Sequence, residues 1–83
     1  MDLYWIHQYA NYLNTLVNDL FEYGETSDLG ESQANDLIEC LPNYVLKKER
    51  DGKGLFTVYA ITYDSNGYQL VTGIKHIINK QRK

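Results

Sequence analysis

Few residues in this chain could act directly on a substrate. There is one cysteine, Cys40, and there are two histidines, His7 and His76. Nucleophilic catalysis needs a nucleophile held within hydrogen-bond reach of a base, and no feature of the sequence sets either imidazole beside the thiol. No glycine-rich phosphate cradle and no serine elbow occur; the glycines sit singly at turns, apart from Gly52 and Gly54 in one hairpin. A Cys-rich zinc site is excluded by the single cysteine, and the histidines do not have ligand spacing. His7 reads as a solvated residue on the polar side of a helix. His76 reads as a residue near the end of a strand, and Cys40 as a small core residue in an apolar helical pattern. The expectation is a protein that is not an enzyme and needs no metal or cofactor.

What remains is the chemistry of charge and of aromatic surface. Residues 1–46 carry eight acidic residues and no Lys or Arg, whereas residues 47–83 carry eight basic and three acidic ones. The halves are thus −8 and +5, within a net charge of −3. Seven of the carboxylates, Asp19, Glu22, Glu25, Asp28, Glu31, Asp36 and Glu39, form a band without a counter-charge in sequence. Such a band is either a solvated face or a surface that steers a basic partner. Its extreme form would be mimicry of nucleic acid, with carboxylates in the places of phosphates.

The basic half supports a different reading. Tyr59 and Tyr63 on an open sheet face, with Lys47 and Lys75 beside them, would resemble a single-strand or RNA platform, where bases stack on aromatics and lysines follow the backbone. The plainer reading is that edge lysines keep a sheet soluble, and the negative net charge opposes strong nucleic-acid binding.

The elements that must position these groups begin with Asp2–Tyr23. At about 100° per residue the apolar side chains of this stretch fall in one half of the wheel, with Tyr4 outside it, which predicts an amphipathic helix about 30 Å long. Asp2 is its expected cap and Gly24 its stop. The apolar arc is wider than one packing contact needs. Its Trp5 and Tyr12 edge, which lies beside Asp19 on the wheel, is the flank most readily left as an apolar anchor, since exposed Trp and Tyr are frequent interface anchors.

Residues 25–30 read as a polar turn, with Asp28 or Ser32 capping a short second helix. That helix carries Ala34, Leu37, Ile38 and Leu41 on one stripe and ends before Pro42. The period then changes to two. Tyr44–Glu49 reads as an edge strand, Asp51-Gly52 as a hairpin turn, Leu55–Tyr63 as a central strand, and Tyr68 to about Ile78 as a third strand. Two registers are open for the second hairpin; the favoured one pairs Asp64 with Tyr68 and puts Phe56, Val58 and Ala60 on the inner face. The expected fold is a single α+β domain over 1–83, two helices packed on a three-stranded antiparallel meander in the order α-α-β-β-β, with residues 79–83 a frayed basic tail.

No run is apolar enough to span a membrane, and the N-terminal stretch is acidic and amphipathic, so a cytoplasmic location is expected. In size, acidity and α+β pattern the chain resembles the small proteins of bacterial phages and mobile elements, some of which inhibit host defence enzymes such as CRISPR nucleases. This likeness implies an inhibitor or regulator and assigns no residue a role. The leading expectation is a non-catalytic module that docks on a basic surface of a protein partner. A nucleic-acid-binding module and a structural homo-oligomer, such as a homodimer, are the alternatives.

Overall fold

The structure, a computed structural model, describes residues 3–81, with side chains through Ile78. Asp2, the expected cap, lies outside the described residues, as do Arg82, Lys83 and the side chain of Lys80. The elements are α1 (Leu3–Tyr23), β1 (Glu25–Leu29), α2 (Glu31–Cys40), β2 (Leu46–Arg50), β3 (Phe56–Tyr63), β4 (Gln69–Val71) and α3 (Ile74–Gln81). The fold is α+β, with a long N-terminal helix, a short second helix and an antiparallel sheet.

β3 is the centre of that sheet. β2 pairs along one edge of it, and β1 pairs along the other. β4 continues this second edge where β1 ends: Ala60 donates its N–H to the Gly24 carbonyl at 2.7 Å and accepts from the Thr72 N–H at 3.0 Å. The even-numbered residues of β3 face the helices, following the two-residue alternation of a strand. Phe56, Val58 and Ala60 pack there with Leu16, Leu20, Leu29, Ala34, Leu37 and Ile74. The register is the one favoured above, since Thr62 pairs with Leu70 and the Asp64 N–H donates to the Tyr68 carbonyl at 2.9 Å.

Two segments differ from expectation. Residues 25–29 are a strand, not a turn. Thr26 pairs with Val58 but Leu29 pairs with Phe56, so a bulge lies between them, with Asp28 at φ 65°. The bulge moves the two buried residues, Thr26 and Leu29, from a spacing of two to a spacing of three. That erases the alternation by which a strand is read. The third strand is also shorter than expected. It stops at Val71, and residues 74–81 form α3. Ile74, Ile77 and Ile78 have the i, i+3, i+4 spacing of a helix face, although their β-branched side chains favour a strand. Residues 79–81, expected to fray, belong to α3.

Smaller corrections follow from the same geometry. α2 is preceded by Gly30 instead of an Asp28 or Ser32 cap, and the Gly30 N–H donates to Gln33 Oε1 at 2.8 Å. Cys40 is exposed. It lies off the Ala34/Leu37/Ile38/Leu41 stripe, so the helix turns it away from the core. His76 is on α3, not on a strand, and is exposed.

The two hairpins share one device. Asp51 Oδ1 accepts from the N–H groups of Lys53 and Leu55, at 2.8 and 3.0 Å. Asp64 Oδ1 accepts from Asn66 and Tyr68, both at 2.9 Å. In each loop the left-handed glycine comes three residues after the aspartate, at Gly54 and Gly67, both with φ 84°. The Asp51-Gly52 pair is therefore not the two-residue turn it resembles in sequence. Asp51→Ala and Asp64→Ala each remove an acceptor shared by two donors, and each is expected to cost about 1 kcal/mol in urea unfolding, the usual net value of an exposed hydrogen-bonded group.

Candidate protein-docking groove

α1 is longer than the body it packs on. Its buried residues, Leu16 and Leu20, lie in its C-terminal half. Its first two turns are uncovered: Leu3 is 69% exposed, Tyr4 60%, Trp5 67% and Ile6 44%. The two covers expected for the wide apolar arc, the second helix and the sheet, therefore serve only part of its length. The Tyr4 and Trp5 rings meet edge to face, with centroids 5.6 Å apart.

Trp5, Gln8, Tyr9 and Tyr12 recur at the helical intervals of three and four, so they share one side of α1. Across from them stand Asp28, on the β1 bulge, and Gln33, on the first turn of α2. Together these six residues line an open groove of about 500 Å³. The Tyr9 and Tyr12 rings are nearly parallel, 27° apart at a centroid distance of 6.3 Å. The Tyr9 hydroxyl donates to Asp36 Oδ2 at 2.5 Å, which ties the aromatic wall to α2.

This hydrogen bond sets the titration of Tyr9. A phenolate beside Asp36 would lose the donated bond, be partly desolvated and face the carboxylate's charge, so the Tyr9 pKa is pushed up to about 12. The folded state thus holds the proton more tightly than the unfolded chain, whose tyrosines lose it near pH 10. The stability this contributes is fully present below about pH 10 and is lost as pH rises towards 12. An ultraviolet titration should show Tyr9 losing its proton late, and Asp36→Ala should bring its pKa back down.

The seven carboxylates of the acidic band do not form one surface. Glu22 is paired with Lys75 at 2.6 Å. Asp19 accepts from Thr26 Oγ1 at 3.4 Å, and Asp36 from Tyr9. Glu25 lies on the outer sheet face, opposite Tyr59, whereas Asp28 lines the groove. Glu31 and Glu39 are exposed at the two ends of α2. Glu25, Asp28, Glu31 and Glu39 have no basic partner among the described residues. Trp5 and Tyr12 do come together, and with Asp28, not with Asp19.

Of the alternative site, Tyr59, Tyr63 and Lys47 share the outer sheet face, with Lys47 directly opposite Tyr59. Lys75 is drawn off to Glu22 on α1. Glu25 flanks Tyr59 on its other side, and Glu49 pairs with Lys47 at 3.7 Å, so the face carries both signs of charge. As the favoured register implies, Ile61 and Val71 share this outer face and pair directly, and Val45 flanks Ile61 on the other edge. Sequence reasoning missed Gln8 and Gln33 in the groove. Tyr9 lies one step round the helical wheel from Trp5 and Tyr12 and joins them here; Gln33 depends on the reversal of chain direction at β1 and α2. No group of three or more potential metal ligands converges among the described residues, and no described helix is long and apolar enough to cross a membrane.

Comparison with protein-family models, with curated proteins and with solved structures finds no match to this chain. A functional reading therefore stands on the groove and its surroundings.

Proposed function

We propose that this protein is a non-catalytic binding module, an inhibitor or regulator that docks on a basic surface of a protein partner. The observation that carries the reading is the uncovered start of α1. Folding leaves a tryptophan and two leucine-sized side chains in water over the first two turns of α1, ahead of its buried Leu16 and Leu20. Exposed aromatics of this kind are typical centres of interface energy once a partner removes the water. The partner's sign follows from the carboxylates without a described counter-charge: Asp28, which lines the groove, and Glu31 and Glu39, exposed at the two ends of α2. The first 46 residues contain no Lys or Arg. A basic site that normally handles nucleic acid is the kind of surface these carboxylates would suit, as with the small phage proteins the chain resembles in class.

The test is capture from the native host, using the intact chain and a variant with Asp28→Asn, Glu31→Gln and Glu39→Gln. The wild type should retain a basic protein whose binding weakens with salt, and the variant should retain it at least about tenfold less, with less dependence on salt. Equal retention by both chains would refute the basic-partner reading. An oligonucleotide platform on Tyr59, Tyr63 and Lys47 predicts instead a gel shift at low salt that Tyr59→Ala abolishes.

A further inference from the structure

The groove has the composition of a site for one cationic side chain. Its wall is three aromatic rings from a single helix face, Trp5, Tyr9 and Tyr12, and its opposite rim carries the Asp28 carboxylate. Aromatic faces attract a cation through their quadrupole, most strongly at tryptophan. The carboxylate adds a directional acceptor that can take two N–H groups at once. Tyr9 reinforces the wall, because its hydroxyl donates to Asp36 and leaves the ring electron-rich and held in place. Among the described residues, no Lys or Arg lines the groove.

We propose that the groove takes an arginine side chain of the protein partner, with the guanidinium stacked on the aromatic wall and hydrogen-bonded to Asp28. Arginine is favoured over lysine by shape. A planar guanidinium can lie against a ring and present a fork of donors to a carboxylate in the same pose, whereas an ammonium is a compact and strongly hydrated point charge. Asp28 is suited to hold this position. Its backbone is in the left-handed region, on a bulge pinned on one side by the Thr26–Val58 pair and on the other by the Leu29–Phe56 pair. The carboxylate is thus presented by paired backbone instead of by a free loop. This inference rests on the docking reading, whose partner residue it names.

Trp5 is the only tryptophan, so its fluorescence reports on the groove without a label. The probes are the blocked tripeptide Gly-Arg-Gly and two counterparts in which lysine or the neutral isostere citrulline replaces arginine. The arginine peptide should change Trp5 emission saturably in the millimolar range, with lysine several-fold weaker and citrulline weaker by about tenfold or more. Asp28→Asn, which keeps a residue type that tolerates positive φ, should weaken the arginine peptide by about tenfold while leaving the thermal midpoint in place. Equal binding of the arginine and citrulline peptides, or no effect of Asp28→Asn, would overturn the proposal. If the arginine peptide is inert but the chain still captures a basic partner through Trp5, the arginine site is refuted and the docking reading stands. If capture is indifferent to Trp5 as well, both fall.

Discussion

Gly24→Ala is expected to unfold the protein or come close to it. The corner between α1 and β1 meets the corner between β4 and α3 backbone to backbone, and each side of the crossing has a glycine. A β-carbon on Gly24 would lie 2.6 Å from the Thr72 carbonyl carbon and 2.9 Å from the Gly73 nitrogen. A β-carbon on Gly73 would lie 2.6 Å from the Glu22 carbonyl oxygen. Neither obstacle is the end of a flexible side chain, so relief requires the two corners to separate. Separation would break both hydrogen bonds of Ala60 on that edge, to Gly24 and from Thr72. It would also part α3 from α1, and with it the Ile74 contribution to the core.

Gly24 carries a further penalty, since its φ of 80° is one that a side chain disfavours by about 1–2 kcal/mol. We expect Gly24→Ala to cost more than about 4 kcal/mol, the range reserved for steric and core lesions. A domain of this length has a total stability on the order of 4–12 kcal/mol. Gly73→Ala should be nearly as damaging, through sterics alone. Gly67→Ala is the control. It shares the positive φ, at 84°, but a β-carbon there meets nothing within 4 Å, so only the conformational term of about 1–2 kcal/mol applies. Urea unfolding separates the cases. If Gly24→Ala and Gly67→Ala lost the same stability, the close crossing of the two corners would not be what holds the sheet edge together.

The contrast between this crossing and the rest of the chain explains which features could be read from sequence. α1, α2 and β3 carry their period in their own residues, so the long helix, the short helix ending at Pro42 and the central strand were legible. β1 was not, because its bulge spaces Thr26 and Leu29 like neither a strand nor a helix. α3 is hidden because its isoleucines favour strands locally, while Ile74 and Ile78, one turn apart on a helix, are the residues that pack on the core. The candidate site divides in the same way. The Trp5 and Tyr12 edge follows from the helical wheel alone. Its acidic neighbour does not: the wheel gives Asp19, on the same helix, whereas the fold brings Asp28 across from β1. The acidic band likewise looked uniform because its neutralising contacts are distant in sequence. Lys75, which pairs with Glu22, is 53 residues away, and Tyr9, which binds Asp36, is 27 away.

Trp5→Ala is the second change with a large expected effect, and its effect should fall on binding alone. Trp5 is 67% exposed and contributes nothing to the buried cluster, so the unfolding free energy should move by less than about 0.5 kcal/mol, as for other surface substitutions. In a complex that covers the start of α1, the same indole becomes a buried anchor. Truncating an anchor of this type typically costs at least about 2 kcal/mol, or roughly thirtyfold in affinity. A substitution on the opposite, outer sheet face, Tyr63→Ala, leaves the groove intact and should change binding little, although Tyr63 is also exposed at 54%.

The most direct measurement is the affinity of the captured partner, once purified, for the wild-type chain, Trp5→Ala and Tyr63→Ala, each with its thermal midpoint recorded. The account predicts that Trp5→Ala loses at least about thirtyfold in affinity with an unchanged midpoint, while Tyr63→Ala stays near wild type. Wild-type affinity in Trp5→Ala, or a loss confined to Tyr63→Ala, would contradict it and move the interface to the outer face of the sheet.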